Sequence, residues 1–217
     1  MRIMLAEPAP ALSDLALGLV VVALAVRLGR FPAPHRHWRR AFWWAGSAAL
    51  AGSVHHGLIK YSARWSGPSW AVISAMVVVA VSYLLAATVA EVLGPHHGRT
   101  FWLLRSVGIG AYAVLAVTGH AGVGALLACE GLTMACILAL WGRAARRRHP
   151  MAGPVLVALV ASGAAAATKA IDPSVTRGVA LDPTSVYHLA QIVGMVLLYL
   201  AVSNPRRPDP EPRALLG

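Results

Sequence analysis

An all-α bundle of seven membrane-crossing helices, N-terminus outside and C-terminus inside, is the architecture this sequence predicts. Three observations carry it. Of the 217 residues, 58% are hydrophobic and only 12% are charged, where a soluble domain carries about 25% charged residues. The apolar residues fall into seven runs, and a helix needs roughly 20 residues to cross a bilayer. The basic residues gather after the first, third, fifth and seventh runs, and positive charge marks the cytoplasmic side.

The runs follow in order. The first, 12–29, opens at Ser13 or Asp14, either of which can cap a helix start. The second is 40–60 and the third 69–93. The fourth, 101–118, contains Arg105 near its end, where a long side chain can reach the headgroups. The fifth, 121–141, is separated from it by "TGHAG", read as a tight turn. A single helix over 106–141 would exceed the bilayer and would break at the same glycines. The sixth is 152–170, and the seventh is 184–202 with Thr184 as its expected cap after Pro183. One membrane domain, 1–203, is thus followed by a Pro- and Arg-rich tail, 204–217, that reads as disordered.

Net charge is +11 and mean hydropathy +0.64. Because the bases sit between apolar runs with no aromatic–basic platform, nucleic acid is not the partner they imply; membrane lipids are. Cys129 and Cys136 lie seven residues apart in one run, about 10 Å along a helix, too far for a disulfide with each other. The N-terminus "MRIMLAEPAPALSD" does not read as a signal peptide. The Ala- and Arg-rich composition points to a GC-rich bacterium and so to a bacterial cytoplasmic (inner) membrane. Small residues crowd the fifth and sixth runs, "GHAGVGALLACEG" and "SGAAAATKA". They serve close helix packing, or they leave room for a lipid tail or cofactor.

Topology assigns depth. His55 and His56 lie about one turn short of the outer end of the second run, and His188 about one turn below the outer start of the seventh. Asp14, Lys60, His120, Lys169, Asp172 and Asp182 lie near the same face, while Glu130 is the acid placed deepest. Ionisable groups inside a membrane are costly and mark functional sites. Ser53, His56 and Lys60 share one helical stripe; Thr184, His188, Gln191 and Met195 share another. His55 points about 100° away from His56, so His56 is the expected member of a shared site, with His55 the alternative. Lys60 and Lys169 read as snorkelling, Asp14 as a helix cap, and Tyr61, Trp65 and Tyr187 as headgroup-level residues.

Seven spans with an outer N-terminus, a His at the end of the second and a His in the seventh resemble the ceramidase and progestin/adipoQ-receptor superfamily. Its members hold zinc with one His on helix two and an H-x-x-x-H pair on helix seven. A Ser four residues before the first His and an Asp on helix three complete the pattern. The resemblance maps His55 or His56 onto the helix-two ligand and His188 onto the first helix-seven ligand. Gly52, Ala51 and Ile192 stand where the Ser and the second His would be, and the third run has no Asp.

Three functions therefore remain open. The first is zinc-dependent hydrolysis of a lipid amide or ester. A third ligand would come from His120, Asp14 or Asp182, because catalytic zinc takes three protein ligands and a water. Ser53 or Lys60 would stabilise the oxyanion, and Gln191 and Thr184 would orient the ligands. The second is haem b binding between His56 and His188. The third is ligand binding, transport or assembly through a polar pocket that includes Glu130. The oligomeric state is not legible.

Overall fold

Proline sets the first boundary. In the computed structural model, which describes residues 5–31, 35–118, 123–170 and 182–204, helix α1 (Pro8–Leu28) begins with Pro8 in its first turn. There proline's fixed φ suits a helix and its missing N–H costs nothing. The expected start at residue 12 is thereby corrected. Glu7 occupies the N-cap without a side-chain cap bond, and Asp14 lies inside the helix instead of capping it.

Six further α-helices follow among the described residues: α2 (Arg36–Val54), α3 (Ser66–Val92), α4 (Gly98–Val117), α5 (Val123–Arg146), α6 (Ala152–Ala167) and α7 (Pro183–Ser203). A π-helical turn, His55–Ile59, extends α2, and a 3-10 turn, Thr168–Ala170, extends α6. Helix α7 is capped by Asp182, whose Oδ1 accepts from Thr184 N at 2.8 Å and Ser185 N at 3.1 Å. The cap is thus Asp182, not Thr184. The tail beyond residue 204 and the "TGHAG" residues 119–122, with His120, lie outside the described residues.

The helices close a ring: α1 packs on α2, α2 on α3, α3 on α5, α5 on α6, α6 on α7, and α7 back on α1. Helix α4 stands outside it, against α3 and α5. Small residues make the α1–α2 seam tight. A Cβ on Gly18 would lie 2.9 Å from Leu50 N, and one on Gly46 would lie 3.0 Å from Val22 N. Where lipid tails are as apolar as the helices, such close packing replaces the hydrophobic drive of a water-soluble core. Toward the basic end, Trp38, Phe42, Leu85, Ile137 and Trp141 fill the centre, and Trp141 Nε1 donates to Thr88 Oγ1 at 3.1 Å.

Outward, the helices present apolar side chains: Leu12, Leu19, Leu103, Leu127, Val157, Val160 and Leu200 are all exposed. A water-soluble monomer rarely exposes so much apolar surface. Four helices, α1, α3, α5 and α7, are long and apolar enough to cross a bilayer, and α6 is apolar but shorter. Helix α2, which opens on Arg36, Arg39 and Arg40, and α4, which carries Arg105, are not among the four. Cys129 and Cys136 are free.

Candidate functional site

The ring encloses a cavity of about 320 Å³. Its walls are apolar along most of their length: Val21 from α1, Phe42 and Ala49 from α2, Val77 and Leu84 from α3, Leu159 from α6, Leu198 from α7. Polar groups gather at one end only, namely Asp14, His56, Lys169, Tyr187, His188 and Gln191. That end is the start of α1 and α7 and the finish of α2. The small residues that make room are on α2, where Ala41, Ala45, Ala48, Ala49 and Gly52 line one face. Of the small residues in the two stretches singled out in the fifth and sixth runs, Ser162 lines it among the described residues.

His188 is held from both sides. Its Nδ1 lies 3.0 Å from Ser13 Oγ and its Nε2 3.3 Å from Asp14 Oδ1. The Ser13 hydroxyl has one proton and a second neighbour, Pro10 O at 3.1 Å. Donated to Pro10 O, it leaves His188 Nδ1–H as the donor to Ser13; donated to His188, it leaves Nε2–H facing Asp14. In both arrangements the Nε2–Oδ1 contact needs a proton between them, since two lone pairs would repel. Asp14 and His188 thus form a buried acid–base pair, exposed by 6% and 5%. Gly52 makes space for this carboxylate: a Cβ there would collide with Asp14 Oδ2.

His56 reaches the cavity from the opposite wall, its ring centroid 6.2 Å from that of His188. Its Nδ1 lies 2.6 Å from Glu7 Oε2, and Lys60 Nζ lies 3.4 Å from the same oxygen. The π turn explains the arrangement. It takes Lys60 N to His55 O at 2.7 Å, so the His56 carbonyl loses its regular partner, and the helix end leaves the Gly57 carbonyl open as well. Both accept from the N-terminal segment: Ala6 N donates to Gly57 O at 2.9 Å and Glu7 N to His56 O at 3.0 Å. Residues 6 and 7 therefore strap the C-terminal end of α2 and aim His56.

The Glu7 carboxyl is raised by burial, but the His56 hydrogen bond and the Lys60 and His56 charges outweigh this and hold it below its ordinary value of 4.5. A lowered carboxyl stabilises the folded state above its unfolded value, and that contribution is lost as pH falls through the lowered one. Protection of the Ala6 and Glu7 amides in hydrogen exchange is expected to hold above about pH 4.5 and to fall on further acidification. Glu7→Gln should exchange faster at neutral pH and show no acid step. A pH step of unchanged size in Glu7→Gln would assign it to another group.

The structure thus brings together His56, His188, Asp14 and Gln191, whose Nε2 donates to Ser162 Oγ at 3.2 Å. It does not bring the others. His55 turns to α3, its Nδ1 2.7 Å from Ser69 Oγ. Ser53 does not line the cavity: of the two positions that helical spacing places beside His56, the structure uses Gly52. Lys60 pairs with Glu7, Thr184 and Asp182 belong to the α7 cap, and His120 lies outside the described residues. Lys169, read as snorkelling, lines the polar end with its Nζ 4.5 Å from the centroid of the Tyr187 ring. The spacing signal for Lys169 was its level, shared with Asp14.

Glu130 is buried, at 9% exposure, but sits elsewhere. Arg105 does not snorkel but is 2% exposed. It donates to Glu130 Oε1 at 3.1 Å, to Thr133 Oγ1 at 2.7 Å and to Val78 O at 3.4 Å, joining α4 to α5 and α3.

Nothing among the described residues supports zinc or haem. Among the described residues no group of three His, Cys, Asp or Glu is arranged to hold a metal ion. Both nitrogens of His188 face protein partners, Ser13 and Asp14.

Helical ring, apolar exterior and a cavity with one polar end define a polytopic helical membrane protein. The chain belongs to DUF6962, a family of unknown function, whose model matches residues 9–207. No curated protein and no solved structure matches it.

Proposed function

We propose that this is a seven-span protein of the bacterial cytoplasmic membrane, N-terminus outside and C-terminus inside, that binds a single-chain amphiphile in the bundle. The supporting observation is the polarity of the cavity: apolar for most of its length, with Asp14, His56, Lys169, His188 and Gln191 converging at one end. A pocket of about 300–1,000 Å³ with few, converging polar groups is the usual form of a small-molecule site. The chain of the ligand lies along α2, α3 and α7. Its head meets acceptors and donors together, with Asp14 balancing Lys169, so an uncharged hydroxyl, ester or amide head suits it best. Orientation rests on the arginines after α1, α3 and α5.

Trp70 lines the cavity and serves as the reporter. A brominated monoacylglycerol is expected to quench the fluorescence lost in Trp70→Phe, and to do so more tightly than oleate or oleylamine. His188→Phe removes a hydrogen-bonding partner of the head and should weaken binding about tenfold, equivalent to about 1.4 kcal/mol. Equal quenching in the parent and in Gly52→Leu, which fills the polar end, would sink the proposal.

A further inference from the structure

A second pocket, of about 290 Å³, opens where α3 and α5 both end, away from the Asp14–His188 pair. Val92 and Leu93 form an apolar wall, and Arg143, Arg147, Arg148 and His149 line the rest. The chain is held in place here. Arg148 N donates to Ala145 O at 2.9 Å and His149 N to Ala144 O at 3.0 Å, the paired bonds that close a helix through a left-handed residue. That residue is Arg148, at φ 59°. Glycine is the usual occupant of such a position because a Cβ is strained there. The His149 ring rests edge-on against Trp141, centroids 5.7 Å apart, and its Nδ1 accepts from Met151 N at 3.3 Å. The last turn of α5, with Arg143, and the fixed turn after it, with Arg147 and Arg148, therefore carry three guanidinium groups to one pocket, one of them at a strained position. Strain kept in a structure points to a use for the side chain that bears it.

We infer that this pocket binds a phosphate group, that of an anionic lipid headgroup. Guanidinium forks match phosphate oxygens two bonds at a time. Val92 and Leu93 would meet the first carbons beyond the headgroup, which a free phosphate lacks.

The test is thermal unfolding of the full chain in uncharged micelles, with phosphatidylglycerol, phosphatidylcholine or inorganic phosphate added. Phosphatidylglycerol is expected to raise the midpoint and phosphatidylcholine to raise it much less. Arg148→Gly relieves the left-handed strain, so its own midpoint should equal or exceed that of the parent, yet its phosphatidylglycerol shift should fall by at least half. Arg143→Gln should lose the shift likewise. Arg30→Gln removes the same charge from an exposed position outside the pocket and should keep it. If inorganic phosphate gives the full shift and Arg148→Gly abolishes it, the pocket stands and its ligand is the free ion. The inference is overturned if neither additive shifts the parent, if Arg148→Gly and Arg143→Gln keep the full shift, or if Arg30→Gln loses as much.

Discussion

Arg105→Leu is expected to cost about 3–5 kcal/mol of stability, the usual loss when one partner of a buried ion pair is removed. Arg105 Nη2 holds Glu130 Oε1 at 3.1 Å, and Glu130 Oε2 is already buried without a hydrogen-bond partner. Without the guanidinium, the carboxylate would keep only the Cys129 thiol, 3.4 Å away, and Thr133 Oγ1 would lose the donor now 2.7 Å from it. Replacing both members, Arg105→Leu with Glu130→Leu, should recover most of the loss, because two apolar side chains leave no charge stranded. The difference is readable by denaturant titration in mixed micelles. A single variant within about 0.5 kcal/mol of the parent, the range of neutral surface changes, would show that the pair is not the tie between α4 and the ring.

Gly46→Leu should be the next most damaging change, at about 1–3 kcal/mol or more for overpacking a close seam. Even its Cβ would fall 2.8 Å from Val22 Cγ2, 3.0 Å from Val22 N and 3.3 Å from Gly18 O. The side chain could yield, but the backbone of α1 could not without moving away from α2. Since α1 carries Asp14 and the π turn that extends α2 carries His56, separating them should also weaken quenching of Trp70 by the brominated ligand. Gly142→Leu is the control, with open space around its Cβ position. Equal stability of the two variants would refute the seam as described.

Much of this molecule is written along the chain. Seven apolar runs interrupted by Arg, Pro and Gly gave helices within a few residues of those found, because each interruption breaks a helix or draws it to the interface. The meeting of His56, His188 and Asp14 at one end of the cavity was legible for the same reason: helices that alternate in direction set the end of one beside the start of the next. What was not legible lies across the bundle. Glu7 and His56 are 49 residues apart and Arg105 and Glu130 are 25 apart, with no periodicity linking either pair. Arg105 was misread because an arginine one turn or so inside a span looks the same whether it reaches outward to headgroups or inward to a carboxylate. Asp14 was misplaced because a proline two turns earlier extended its helix. The choice of Gly52 over Ser53 turned on a carboxylate from another helix, which needed the space glycine leaves.

The π turn at His55–Ile59 has a consequence for chain length. Regular α-helix advances about 100° per residue, and the wider turn absorbs one residue that a regular ladder would not hold. The C-terminal end of α2 is therefore sensitive to counting more than to chemistry. Removing any one residue between 55 and 59 would let the ladder close, turn Lys60 and everything after it by about 100° relative to Gly52, and so shift the carbonyls that Ala6 and Glu7 now meet. Five exchanges of side chain in this stretch could be gentler on the fold than one deletion.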